Sequence, residues 1–298
     1  MKIILGIITI LFINACSTGT QSMSILNTGS KTYNESYGWG NGYTRKGWVN
    51  NISPKRWNFT LANDIVRYGT LSERYEVRDG DCGGSDCTNP RYRSEIMAKK
   101  NLASPNQEAW YGWSFYNENI PSFNDRRKNP LIVVGQWKYG ESKDGISPPI
   151  KLTHRYDGYV WVQLDDMRRT KGTSYKTCRL WHMEANQGRW VDIVMQTNWG
   201  TDSNGYLNIW INGLQKCNYK GQILANWKSH YPKTGYSWGK HLTHRHGVYV
   251  SSTKRFRKNF PNSKLPTFIA YYDEFRQGTS RKDVDISYII QNNLKAVD

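Results

Sequence analysis

The chain has 298 residues, with 41 Lys and Arg against 24 Asp and Glu, a formal net charge of +17. It also carries 13 Trp and 20 Tyr, a composition suited to holding a polyanion of flat, stackable units such as sugar rings or nucleobases. Charge of this size speaks about partners and not about fold, and no P-loop or dinucleotide fingerprint is present to point to nucleotide chemistry.

In chain order, the first element is a leader. Lys2 is its only charge, and Ile3 to Ile13 is an apolar run too short to span a bilayer. Ile13-Asn14-Ala15-Cys16 follows and resembles a bacterial lipobox, which makes residues 1–15 a lipoprotein signal peptide and Cys16 the lipid-carrying residue. An ordinary signal peptide cut near Ala15 is the alternative. Ser17 resembles the outer-membrane sorting pattern. The expectation is an exported protein of the cell envelope, lipid-anchored at the outer membrane and touching the membrane through its lipid alone. Residues 16–32, rich in Ser, Thr and Gly, read as a flexible tether. Residues 33–298 contain no linker or repeat and read as one domain, expected to be a monomer.

Export permits disulfides. With Cys16 given to lipid, Cys82, Cys87, Cys178 and Cys217 remain, an even number with three possible pairings. The preferred pairing is Cys82–Cys87, closing a tight Gly-rich loop, with Cys178–Cys217 joining two later strands. A zinc site at Cys82 and Cys87 is disfavoured by the spacing and the compartment.

The body is strand-like. Arg91 to Met97 alternates in charge, placing Arg93 and Glu95 on one face; such a face is costly to bury and suits the floor of a groove. Residues 110–116, 131–137, 151–156, 159–164, 190–195, 206–211 and 268–272 are β-branched and aromatic-rich, punctuated by Asp157-Gly158, Asn204-Gly205 and Asn212-Gly213. Only Val284 to Leu294 suggests helix. Many strands without interleaved helices predict an all-β, antiparallel two-sheet sandwich or jelly roll.

Several segments recur in a recognisable order: Gly80-Asp81-Cys82 before Arg91-Tyr92-Arg93-Ser94-Glu95; Tyr111-Gly112-Trp113-Ser114; Val134-Gly135-Gln136-Trp137 before Ser147-Pro148-Pro149; and Gly188-Arg189-Trp190-Val191-Asp192 before Gly205-Tyr206 through Asn212-Gly213. His246-Gly247-Val248-Tyr249 and Tyr271-Tyr272-Asp273-Glu274-Phe275-Arg276 close the series. Together they resemble the jelly-roll polysaccharide lyases of the heparin lyase I and glucuronan lyase type, over roughly residues 75–280. The resemblance implies a concanavalin-like β-jelly roll and β-elimination on a uronic-acid polysaccharide (alginate, glucuronan or a heparin-like chain), without a required cofactor.

That chemistry needs a cation or donor to neutralise the uronate carboxylate, a base for the C5 proton and an acid for the departing O4. Arg93, with a fork matching a carboxylate, and Gln136, with an amide N–H, are the neutralising candidates. Tyr249 stands where the family carries its tyrosine acid/base, and Arg245, before the glycine, is expected to favour its phenolate. Related lyases place a histidine two residues after the glutamine; here that position is Lys138, a poorer base unless desolvation lowers its pKa, so His154 is the candidate replacement with Lys138 the alternative, and His182 is read as structural. Arg245, Lys138, Trp137, His246 and Glu95 complete the expected substrate-binding set. The His241-to-His246 segment lacks nearby carboxylates and is not read as a metal site. Asp79, Asp81 and Asp86 offer oxygen ligands for a structural calcium, with a solvated acidic loop preferred.

The alternatives are a glycoside hydrolase on the same fold, which requires a carboxylate pair, and a non-catalytic lipoprotein binding anionic carbohydrate. Nucleic-acid binding is disfavoured by export and by the dispersal of the basic residues.

Overall fold

The computed structural model describes residues 55–98, 104–139, 148–165, 174–224 and 242–298, with strand segments at 33–34, 38–39, 44–45 and 48–52. The leader, Cys16 and the whole tether lie outside the described residues. Among the described residues, seventeen strands form two large sheets and a small ribbon, β1 (Tyr33–Asn34) with β3 (Thr44–Arg45).

The first sheet runs β12 (Ser174–His182), β11 (Tyr159–Asp165), β10 (Ile150–His154), β9 (Ile132–Tyr139), β16 (Leu242–Val250), β7 (Tyr92–Ala98), β4 (Trp48–Ile52) and β2 (Gly38–Trp39). The second runs β15 (Leu214–Lys220), β14 (Tyr206–Ile211), β13 (Trp190–Asn198), β8 (Glu108–Asn119), β17 (Phe268–Gly278), β6 (Ser72–Val77) and β5 (Phe59–Ala62). Pairing is antiparallel except between β2 and β4. The jelly-roll sandwich expected from the sequence is therefore what the chain forms.

Local pattern explains why. In β14, Leu207, Ile209 and Ile211 are buried while Tyr206, Asn208 and Trp210 are half-exposed, the period-2 alternation of a strand with one wet face. Asn212 and Gly213 both have positive φ, 47° and 79°, which two-residue hairpin turns require, and they join β14 to β15. Between the sheets lie large fully buried aromatics, among them Trp48, Trp113, Trp137, Phe115 and Phe275.

Both disulfides form as expected. Cys178–Cys217 joins β12 to β15, the edge strands of the two sheets, across 39 residues. Closing a loop of that length restricts the unfolded chain by about 4 kcal/mol. Cys82–Cys87 closes a small ring around the first residues of α1 (Ser85–Thr88). Two further helices follow, α2 (Thr253–Asn259) and α3 (Ile286–Gln291); the sequence signalled only the last.

Candidate active site

A cleft of about 460 Å³ opens on the outer face of the first sheet, where β7, β16 and β9 lie side by side. Alternation selects which residues reach it. Arg91, just before β7, and Arg93 on it line the cleft, with Tyr249 on β16 and Val133, Gln136 and Lys138 on β9. The spacing of three between Val133 and Gln136 reflects a register shift of β9 against both neighbours near Val134. On β16, Gly247 has φ 125°, and an added Cβ there would lie 2.1 Å from the Ser94 carbonyl oxygen, so only glycine fits. Tyr272 of the opposite sheet sets its hydroxyl 2.6 Å from the Val134 carbonyl oxygen and 2.9 Å from that of Gly247.

Arg93 and Tyr249 are register partners, and the guanidinium carbon lies 4.3 Å from the centre of the Tyr249 ring. The guanidinium also pairs with two carboxylates. Its Nη2 donates to Asp86 (3.0 Å), whose other oxygen contacts Nε, and its Nη1 donates to Glu95 (3.2 Å). Burial alone would lower the Arg93 pKa, but Glu95 and Asp86 outweigh it and raise it. Gln136 donates its Nε2–H to the second Glu95 oxygen at 2.6 Å. Glu95, fully buried, thus orients both expected neutralising groups from beneath.

Protonation follows from the same crowding. Burial raises the Tyr249 pKa, with Arg93 and Arg91 only partly opposing it. The resting residue is a phenol, and the expectation that Arg245 would favour a phenolate is corrected. Burial, helped by Arg245 and Arg93, lowers the Lys138 pKa to about 8, which meets the condition for a lysine to act as a base near neutral pH. Arg245 sits on the same face, buried beside Gln136 in register, its own pKa pressed down chiefly by burial.

Five expected site residues do not line the cleft: Arg245, which shares its face, and four that lie elsewhere. His154 shares the inward face of β10 with Ile150 and Leu152, pairs in register with Val160, and is fully buried; burial lowers its pKa to about 4. It is not among the residues lining the cleft. Trp137 follows Gln136 and so points inward, its ring 4.4 Å from that of His244. His246 follows Arg245 and also points inward, with Nε2 2.8 Å from Glu73 and its ring stacked on Tyr272. Glu95 lies under the floor and does not line the cleft. His182 serves structure, its Nδ1 accepting from the Ala185 amide at 3.2 Å.

The acidic loop is not solvated. Asp79 pairs with Arg257, Asp81 accepts from Trp57, Asn58 and the Arg78 amide, and Asp86 takes Arg93. Its carboxylates are committed to protein partners, and no cluster of three or more His, Cys, Asp or Glu suited to a metal occurs among the described residues.

Sequence reading missed Arg91, Lys151 and Lys254, which line the cleft, and Asp86's hold on Arg93. Arg91 had a signal, lying two residues before Arg93 on the same face; Lys151, Lys254 and Asp86 are brought in by tertiary structure.

A family model described as polysaccharide lyase matches residues 31–276. Among solved structures, an endo-beta-1,4-glucuronan lyase from the fungus Trichoderma reesei is similar at 18% identity and TM-score 0.58, covering 85% of this chain and 97% of that one. An alginate lyase from Klebsiella pneumoniae aligns at 11% identity and TM-score 0.48, covering 75% and 85%. Comparison with curated protein sequences gives no match. A family match over most of its length, on a jelly-roll fold, makes this chain a member of the polysaccharide lyase family.

Proposed function

We propose that this lyase cleaves a uronic-acid-containing anionic polysaccharide by β-elimination in the cleft between β7, β16 and β9. The observation that carries the reading is the convergence there of Arg93, Gln136, Lys138 and Tyr249, with Glu95 fixing the first two. Arg93 and the second amide hydrogen of Gln136 neutralise the substrate carboxylate, so that the C5 proton becomes removable. Lys138, in its neutral form, takes that proton. The electron pair forms the C4–C5 double bond as the C4–O4 bond breaks, and the Tyr249 phenol protonates O4. Arg91, Lys151 and Lys254 add positive charge along the cleft and favour an anionic chain. No Asp or Glu is among the described residues lining it, which argues against a hydrolase working through paired carboxylates.

Glucuronan and alginate, named for the similar lyases, and a heparin-like chain form the test panel. Release of an unsaturated uronate, read by its ultraviolet absorbance, supports the reading; binding without product overturns it. Lysine and tyrosine separate by mutation: if Lys138→Gln keeps full turnover, Tyr249 performs both proton transfers. Export and lipidation at Cys16 belong to the same proposal. They are supported by the apolar leader and by two disulfides, which persist in oxidising compartments; loss of membrane association in Cys16→Ala tests them.

A further inference from the structure

The Cys82–Cys87 ring joins two anchored carboxylates. Just before it, Asp81 is 4% exposed and accepts from Trp57 Nε1 (2.9 Å), Asn58 Nδ2 (3.0 Å) and the Arg78 amide (2.8 Å). At its far end Asp86 is also 4% exposed and reaches the Arg93 guanidinium. The ring is braced internally by the Asp86 amide on Gly83 O and the Cys87 amide on Gly84 O, and the Asp86 carbonyl accepts from the Arg91 amide (3.1 Å). One carboxylate is therefore nailed to the body and the other is delivered, through a covalently closed turn, to a cation on the cleft floor. A surface loop needing only to be tethered has no use for a buried acid aimed there, since burying a charge is costly unless it is paired.

We infer that Asp86, presented by the Cys82–Cys87 ring, is a positioning residue that holds the Arg93 guanidinium over the Tyr249 ring for turnover. This rests on the proposed roles of Arg93 and Tyr249. Asp86 grips the guanidinium on the side of Nε and Nη2 while Glu95 grips Nη1, so its removal takes away the carboxylate hold on the Nε side. A displacement of about 1 Å in such a group costs about 10²-fold in rate.

Asp86→Asn, assayed on glucuronan and alginate, is expected to lower kcat about 10²-fold with KM little changed, and Asp86→Glu to retain more activity than Asp86→Asn. Opening the ring with paired Cys82→Ser and Cys87→Ser substitutions should lower kcat in the same direction. Adding Asp86→Asn to that variant should then cost less than it does alone, as expected for coupled residues. A crystal structure of Asp86→Asn should show the guanidinium displaced from the Tyr249 ring. Wild-type kcat in Asp86→Asn, with or without a lower melting temperature, overturns the inference, as does an undisplaced guanidinium in its crystals. If Arg93→Ala itself keeps wild-type turnover, the catalytic reading of Arg93 falls instead. Should neither polymer be cleaved by the wild-type protein, the crystal structure decides.

Discussion

Along β16 the inward residues His244 and His246 stack on Phe275 and Tyr272 with ring centres 4.5 and 4.9 Å apart, while their outward neighbours Arg245 and Tyr249 face the charged floor. Histidine is the side chain that titrates most readily near neutral pH, yet this strand packs its histidines among inner aromatics, His246 also reaching Glu73. On the proposed reading the outward face works with a phenol, an amine and a guanidinium, groups whose ordinary pKa values lie far above neutrality. Burial among cations brings only the lysine into range, with Lys138 lowered to about 8, whereas burial raises Tyr249 and keeps it a phenol. The difference teaches that the outer face is set by buried charges of both signs, whereas the inner face is set by the fit of its rings.

This contrast breaks first at Tyr249. Tyr249→Phe keeps the ring beside Arg93 and deletes only the hydroxyl, so kcat should fall about 10²–10⁴-fold with melting temperature nearly unchanged; wild-type product release would return the residue to a packing role. Arg93→Lys keeps the charge and loses the planar fork. It should lower kcat/KM by about 10²-fold, through both parameters, in steady-state assays. Lys138→Gln tests the tuning itself. If the neutral amine is the base, wild-type turnover rises as pH passes about 8, and that limb should be missing from the variant's pH profile.

The inner face should answer in stability instead. The folded-state pKa of His154, about 4, lies below the ordinary value of 6.5, so the unfolded chain takes up its proton first as pH falls. The contribution is present above pH about 6.5 and is lost as pH drops toward 4, an effect on the order of 3 kcal/mol at most. Denaturant titrations across that range should show the loss, and His154→Leu should flatten it while leaving kcat near wild type. A fall in kcat with intact stability would bring His154 back into the chemistry.

Much of this was legible beforehand. The alternation in β14, the Asn212-Gly213 turn and the order of landmarks from Arg93 to Tyr249 announced the sandwich and the partners in its cleft. The errors also have a physical source. Gln136 and Trp137, or Arg245 and His246, are adjacent on a strand and cannot both face the cleft, so naming both members of each pair for the site was already against the geometry. Which member faces outward depends on the opposite sheet, whose aromatics Tyr111, Trp113 and Tyr272 claim Trp137 and His246. Glu95 does face the same way as Arg93, but the side chains of Arg93 and Gln136 engage its two carboxylate oxygens. Asp86 lay beyond reach because its partner is fixed by a ring whose direction no local pattern reveals.

The Tyr272 hydroxyl, resting against the carbonyls of Val134 and Gly247, has a thermal consequence. Those two carbonyls belong to the irregular stretches of β9 and β16 that set the spacing of Val133, Gln136 and Tyr249. Loss of this anchor is expected to disturb the spacing of the proposed catalytic residues before the surrounding ladders and the edge-to-edge disulfide give way. Activity in Tyr272→Phe should therefore fade at temperatures where its circular dichroism is still native, making the enzyme a thermometer that reads the floor of its cleft before the walls give way.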